Sequence, residues 1–211
     1  IFRVPYFPYE DFERLADTID DDALIDGLTP QIGELVPAKN PDSGIGGGNI
    51  RMVGLDPLLL SGFRVLEQVT GEAALLEDLA ERQGFINESA AEKLEVELGD
   101  LIEVLLPGGS ITIEVQGVIK KGGLAGRDPT ILLPLRRVQT IFNQSGKINA
   151  ILVSNRGDEW SGVEASEEVT SVIRSFFNDP EVAAELKQLL NDIEITRILE
   201  ERIRDKDLPD D

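Results

Sequence analysis

The stretch from Leu101 to Ile119 restricts the fold more than any other part of the chain. Leu101 to Leu106 and Ile111 to Ile119 are apolar-rich runs, and in the second Ile111, Ile113 and Val115 alternate with Thr112, Glu114 and Gln116. A period of two places successive side chains on opposite faces of a strand. The connector Pro107-Gly108-Gly109-Ser110 has the length and residue types of a hairpin loop. Gly117 interrupts the second run and points to a bulge or a close backbone approach.

Helical periods flank this strand pair. Tyr9, Phe12, Leu15, Ala16 and Ile19 fall on one helical face, with Pro8 tolerated at the first turn. Leu24 to Pro37 carries Leu28, Ile32 and Val36 but also Gly27, Pro30 and Gly33, which suits a bent or bulged strand better than a helix. Asn49 to Leu55 reads as a further short strand. The Gly44-Ile45-Gly46-Gly47-Gly48 connector lacks the Lys-Ser/Thr and the helix of a phosphate loop, so a mobile hairpin loop is expected. Leu58 to Leu66 is a dense apolar patch. Ala73 to Ala80 suits a helix ended by Gly84. Phe85 to Ser89 is a strand stub with a capping residue, before a short helix over Ala90 to Leu94. Ile131 to Leu133 is a strand, and Pro134 opens a helix with Leu135, Val138, Ile141 and Phe142 inward. Ile148 to Val153 is another strand. Val169, Val172, Ile173, Phe176 and Phe177 follow the spacing of an amphipathic helix. After Asn178-Asp179-Pro180, Val182 to Ile193 and Ile195 to Ile203 hold two stripes out of phase, which predicts a pair of short helices.

Chemistry is limited by what is missing. The 211 residues contain no cysteine and no histidine, which excludes thiol nucleophiles, disulfides, Cys/His zinc sites and His-based catalytic triads. The 40 acidic and 20 basic side chains leave a net charge of −20, hostile to nucleic acid and to anionic lipid headgroups. A hydrophobic fraction of 41% suffices for a packed core. The Asp20-Asp21-Asp22 run lacks the spacing of a calcium loop and reads as a solvated turn. No catalytic residue, cofactor or metal ligand is assigned, and tight binding of a metal or nucleotide is not expected. No stretch approaches the ~20 apolar residues that span a bilayer. Ile1 to Tyr6 resembles the tail of a strand rather than a signal peptide.

Five segments in order resemble the extracellular core domain of MacB/FtsX-like ABC transporter permeases. Met52-Val53-Gly54-Leu55-Asp56-Pro57 is similar to that family's strand ending in an apolar-Gly-apolar-Asp turn. Phe85 to Leu94, followed by Glu97-Leu98-Gly99-Asp100, resembles the strand, short helix and Gly-Asp before its central hairpin. Ile113 to Ile119 resembles the strand with an apolar-x-Gly-apolar bulge, Ile131 to Gln139 the strand-to-helix step, and Asn149 to Val153 the last strand. The resemblance covers roughly residues 24 to 155.

It implies an α+β fold: a porter-like α/β subdomain (1–55 and 147–178), an inserted strand-rich subdomain (56–146) and an acidic helical tail (179–211). It also implies a non-catalytic extracytoplasmic domain of a membrane protein, with membrane helices shortly before Ile1 and after Asp211. ATP would be hydrolysed by a separate ATP-binding cassette subunit, reached through the membrane part. Other partners would be a second permease copy and an extracytoplasmic substrate or protein. The candidate partner-binding residues are Leu58, Leu59 and Phe63, in a groove between subdomains, and Leu124 and Arg127 in a glycine-flanked loop. Two other classes stay open: a carboxylate-based hydrolase, poorly served by one Trp and two Tyr, and a free-standing structural or adaptor domain.

Overall fold

The computed structural model describes residues 5–19, 25–155, 169–170, 173–174, 176 and 178. The strand β1 (Phe7–Pro8) runs into the helix α1 (Tyr9–Ile19), as the helical period predicts. Then come the strands β2 (Ile25–Lys39), β3 (Gly46–Leu55) and β4 (Gln83–Asn87), the helix α2 (Glu88–Leu94), and the strands β5 (Leu101–Leu106), β6 (Gly109–Ile119) and β7 (Thr130–Pro134). The helix α3 (Leu135–Ile141) and the strands β8 (Lys147–Ile148) and β9 (Ala150–Asn155) complete the described elements. The Asp20 to Asp22 run and everything after Asn178 lie outside the described residues.

Six strands close on themselves because β2 has partners on both edges. The order β3-β7-β4-β6-β5-β2 returns to its start through antiparallel pairing of β2 with β3. β2 can serve several neighbours because it is 15 residues long. Its first half pairs with β9, its second half with β3, and Ala38 and Lys39 with β5. The bulged strand expected from Gly27, Pro30 and Gly33 shows a register shift at Gly27, between Ile25 and Gly27, and none at Pro30 or Gly33; a second shift, which those residues do not announce, falls between Val36 and Ala38. Strands on both sides of residues 55/56 thus pair in one sheet. The α+β class holds, with helices packed on the sheet.

Inside the ring, alternate residues of each strand meet: Ile32 and Val36, Ile50 and Met52, Ile86, Ile102 and Val104, Ile113 and Val115, Ile131 and Leu133. Each such side chain contributes about 1.5–3 kcal/mol by leaving water. Gly84 stands at an inward position where a Cβ would meet Ile113 Cγ2 at 2.8 Å and Leu133 Cδ2 at 2.9 Å. It makes room in the ring interior and ends no helix. The bulge predicted at Gly117 is present, as a register shift where β6 meets Gly84/Phe85 of β4. It reverses the phase of β6: Ile113 and Val115 face inward, whereas Ile119 joins a second cluster outside. A Cβ on Gly117 would also run into the Gln68 side chain, so the close approach is real.

That second cluster corrects one expectation. Residues 73–80 form no α-helix; only a 3-10 turn, Leu76–Asp78, is present. Ala74 and Leu76 are buried and Leu75 between them is exposed, which is a spacing of two. Bridges Glu67↔Ala73 and Gln68↔Ile119 lay this segment across the outside of the ring. There Leu66, Ala74 and Leu76 cover Val53, Leu55, Phe85, Ile119 and Leu132. Burial against an existing apolar face outweighs the modest helix propensity of so short a segment. The glycine connector differs as well. Gly46 and Gly47 are already paired with Lys39 and Ala38, and Asn40 Oδ1 accepts from Asp42 N at 3.0 Å to tighten a short turn.

Candidate functional site

The residue that caps α2 is Asn87, which is fully buried and organises one end of the ring. Its Oδ1 accepts from Ala90 N (2.9 Å) and Thr130 N (3.0 Å), and its Nδ2 donates to Ala125 O (3.0 Å) and Asp128 O (2.7 Å). One side chain thereby caps α2 and holds the 122–130 loop to the start of β7. The loop is consequently pinned. Leu124 packs partly against the outer cluster, while Arg127 is exposed and its carbonyl accepts from Ser89 Oγ at 2.8 Å.

Leu58, Leu59 and Phe63 lie elsewhere. Asp56 Oδ1 accepts from Leu58 N at 3.1 Å and starts a 3-10 turn, Pro57–Leu59, that leaves Leu58 87% exposed. Leu59 packs against the ring core and Phe63 is half-buried. Parallel pairing of Arg51 with Thr130 and of Leu55 with Pro134 puts the turn after β3 and the loop before β7 at opposite ends of the ring. The five candidate residues therefore form two separate surfaces.

A third surface has a more definite shape, and sequence reasoning missed it. β2 and β5 pair at Ala38↔Val104 and Lys39↔Glu103, beside a Lys39 Nζ–Glu103 Oε2 ion pair of 3.0 Å, and then part. The next pair would ask Pro37 for an N–H that it lacks. An open groove of about 620 Å³ fills the fork. Its walls are Glu34–Pro37 on one side and the hairpin tip from Leu105 to Ile111 on the other, with Ile141 and Phe142 at the end of α3 between them. Leu35 (60% exposed) and Leu105 (41%) offer apolar side chains at its rim. Glu34 Oε1 accepts from Tyr6 Oη at 2.8 Å and from Asn149 Nδ2 at 3.3 Å, so the groove's one carboxylate already has two donors.

The same asparagine defines the open edge. Asn149 Oδ1 accepts from Gly33 N (2.9 Å), its Nδ2 donates to Gly33 O (3.1 Å), and its own N–H donates to Gln31 O (3.0 Å). Backbone groups alternate sides along a strand. Leu35, like Gly33, therefore turns its N–H and C=O away from β3 and toward the groove. The signal was present: Leu35 is an apolar residue out of phase with Ile32 and Val36, two positions before Pro37.

Among the described residues no group of three or more acidic side chains could hold a metal ion, and no helix is long and apolar enough to cross a membrane.

The model of the MacB-like periplasmic core domain family matches residues 2–189. The chain belongs to that family. Its place is thus the extracytoplasmic side, as a domain of an ABC transporter permease. The periplasmic region of MacB from Actinobacillus actinomycetemcomitans has a similar fold, with a TM-score of 0.50 at 15% identity over 80% of this chain and 73% of that one. The extracellular domain of the noncanonic ABC-type transporter YknZ from Gram-positive bacteria aligns with a TM-score of 0.48 at 17% identity, over 76% of this chain and 78% of that one. None of the curated proteins matches the chain.

Proposed function

We propose that this periplasmic core domain is non-catalytic, engages an extracytoplasmic substrate or partner protein, and relays ATP-driven motion to it. An ATP-binding cassette subunit acts through the membrane part, and a second permease copy completes the assembly. The observation that carries the reading is the pairing of two segments distant in sequence. β1 pairs with β8 (Phe7↔Ile148), and β9 then lies along β2 from Asn155 to Ala150. A displacement delivered to either segment is thus handed to β2, the strand shared by the ring and the groove. The exposed Leu58 turn, with Leu59 and Phe63, and the Leu124–Arg127 loop are further contact surfaces in this reading.

These 211 residues contain no cysteine, so a label at an introduced cysteine is unique within the domain. In the membrane-embedded permease, spin labels at Leu58→Cys and at a membrane-helix position report distances with and without ATP. A distance distribution that changes between nucleotide states is expected. Identical distributions in every state would remove the relay.

A further inference from the structure

We propose that the fork between β2 and β5 takes up an extended, lysine- or arginine-bearing segment of a partner protein, which adds a strand to the open edge at Leu35. This rests on the reading of the domain as a partner-engaging module and supplies its site.

Three observations converge on one occupant. The edge is short and bounded: Asn149 occupies Gly33 on one side, and β5 takes over at Ala38 on the other. The four residues between these bounds, 34–37, span roughly 13 Å of extended chain, enough for a short strand and too little for a sheet-to-sheet contact. Leu35 presents an N–H and a C=O in the orientation of a ladder position, and main-chain pairing at such an edge supplies affinity independent of the guest's sequence. Its exposed side chain, with Leu105 across the groove, offers apolar contact to alternate residues of the guest.

Charge selects among guests. The chain carries −20 overall, and the carboxylate in the groove is Glu34. A second copy of this chain would bring the same −20 to the contact, whereas a cationic segment is drawn in by the field. A helix is the wrong shape, since it keeps its backbone groups to itself and leaves Leu35 unpaired.

The test uses the 211-residue chain and a short synthetic peptide of alternating valine and threonine with lysines at both ends. Saturable binding is expected, with the Leu35 amide among the strongest shifts in a heteronuclear NMR titration. Leu35→Ser and, separately, Leu105→Ser, which remove the apolar contact without changing the charge, should each weaken binding about tenfold, or about 1.4 kcal/mol. Both positions are exposed, so two independent variants guard against a folding defect in one. The proposal is overturned if the lysine-ended peptide does not bind, or if a backbone N-methylated version binds equally well. Equal binding by a glutamate-ended peptide overturns the cationic guest. Mass that rises with protein concentration in sedimentation, and is abolished by Leu35→Ser, assigns the edge to a second copy instead. None of these outcomes alters the nucleotide-dependent distances that test the relay, so the two readings fail separately.

Discussion

Tyr9 shows how a single side chain ties the first helix to the ring. It opens α1, its ring lies 5.4 Å from that of Phe12, and its hydroxyl lies 3.3 Å from Asp56 Oδ2 at the end of β3. Burial, then the Asp56 charge and hydrogen bond, push its pKa from 10.0 up to about 12. The folded state thus holds the phenolic proton more tightly than the unfolded chain. Stability from this source is fully present below pH 10 and is lost as the pH rises through 12. Urea unfolding across that window should show wild type losing stability faster than Tyr9→Phe, which has no proton to release. Curves that stay parallel would rule out the Tyr9–Asp56 contact as its source. The helical face of Tyr9 was legible in sequence because a period of 3.6 is local. Its contact with Asp56 was not, because 47 residues separate the two partners.

At the scale of elements, local patterns located strands well and failed where a segment borrows its conformation. The hairpin of β5 and β6, the strand-to-helix step at Pro134 and the cap at Asn87 all carry their cause within a few residues. Residues 73–80 have the composition of a helix, but the bare outer face of Val53, Phe85 and Leu132 makes them a cover. Gly54 is a second such case. Its neighbours Met52, Val53 and Leu55 are plain strand residues, yet a Cβ here would meet Val138 Cβ at 2.8 Å and Leu135 Cα at 3.1 Å. α3 rests directly on the β3 backbone. Gly54→Ala should therefore cost about 1–3 kcal/mol by forcing the helix outward. Val138→Ala in the same chain should recover part of that loss, because it removes the atoms the new methyl strikes. Chemical denaturation of the single and double variants measures both. Additive losses would show that the helix yields elsewhere.

For the whole molecule, the decisive fact is ring closure, which no local pattern announces. It depends on β2 meeting β3 along one edge and β5 at Ala38 and Lys39 along the other. Residues 56–146, although they hold β4 to β7, α2 and α3, should therefore not fold on their own. Without 25–55, β7 loses its parallel partner over Arg51 to Leu55, and α3 loses the surface at Gly54. Part of the interior goes too, since Ile32, Val36, Ala38, Ile50 and Met52 share one cluster with Ile102, Val104, Ile113 and Ile131. Backbone groups left unpaired and apolar side chains left wet oppose folding together. A chain of residues 56–146 should accordingly give a poorly dispersed proton–nitrogen spectrum and no cooperative melt. The 211-residue chain should lose the signals of β2, β3, β5 and β7 in one transition. If 56–146 instead yields a dispersed spectrum and melts cooperatively, the inserted subdomain stands on its own. The ring would then be a docking of two units rather than one core.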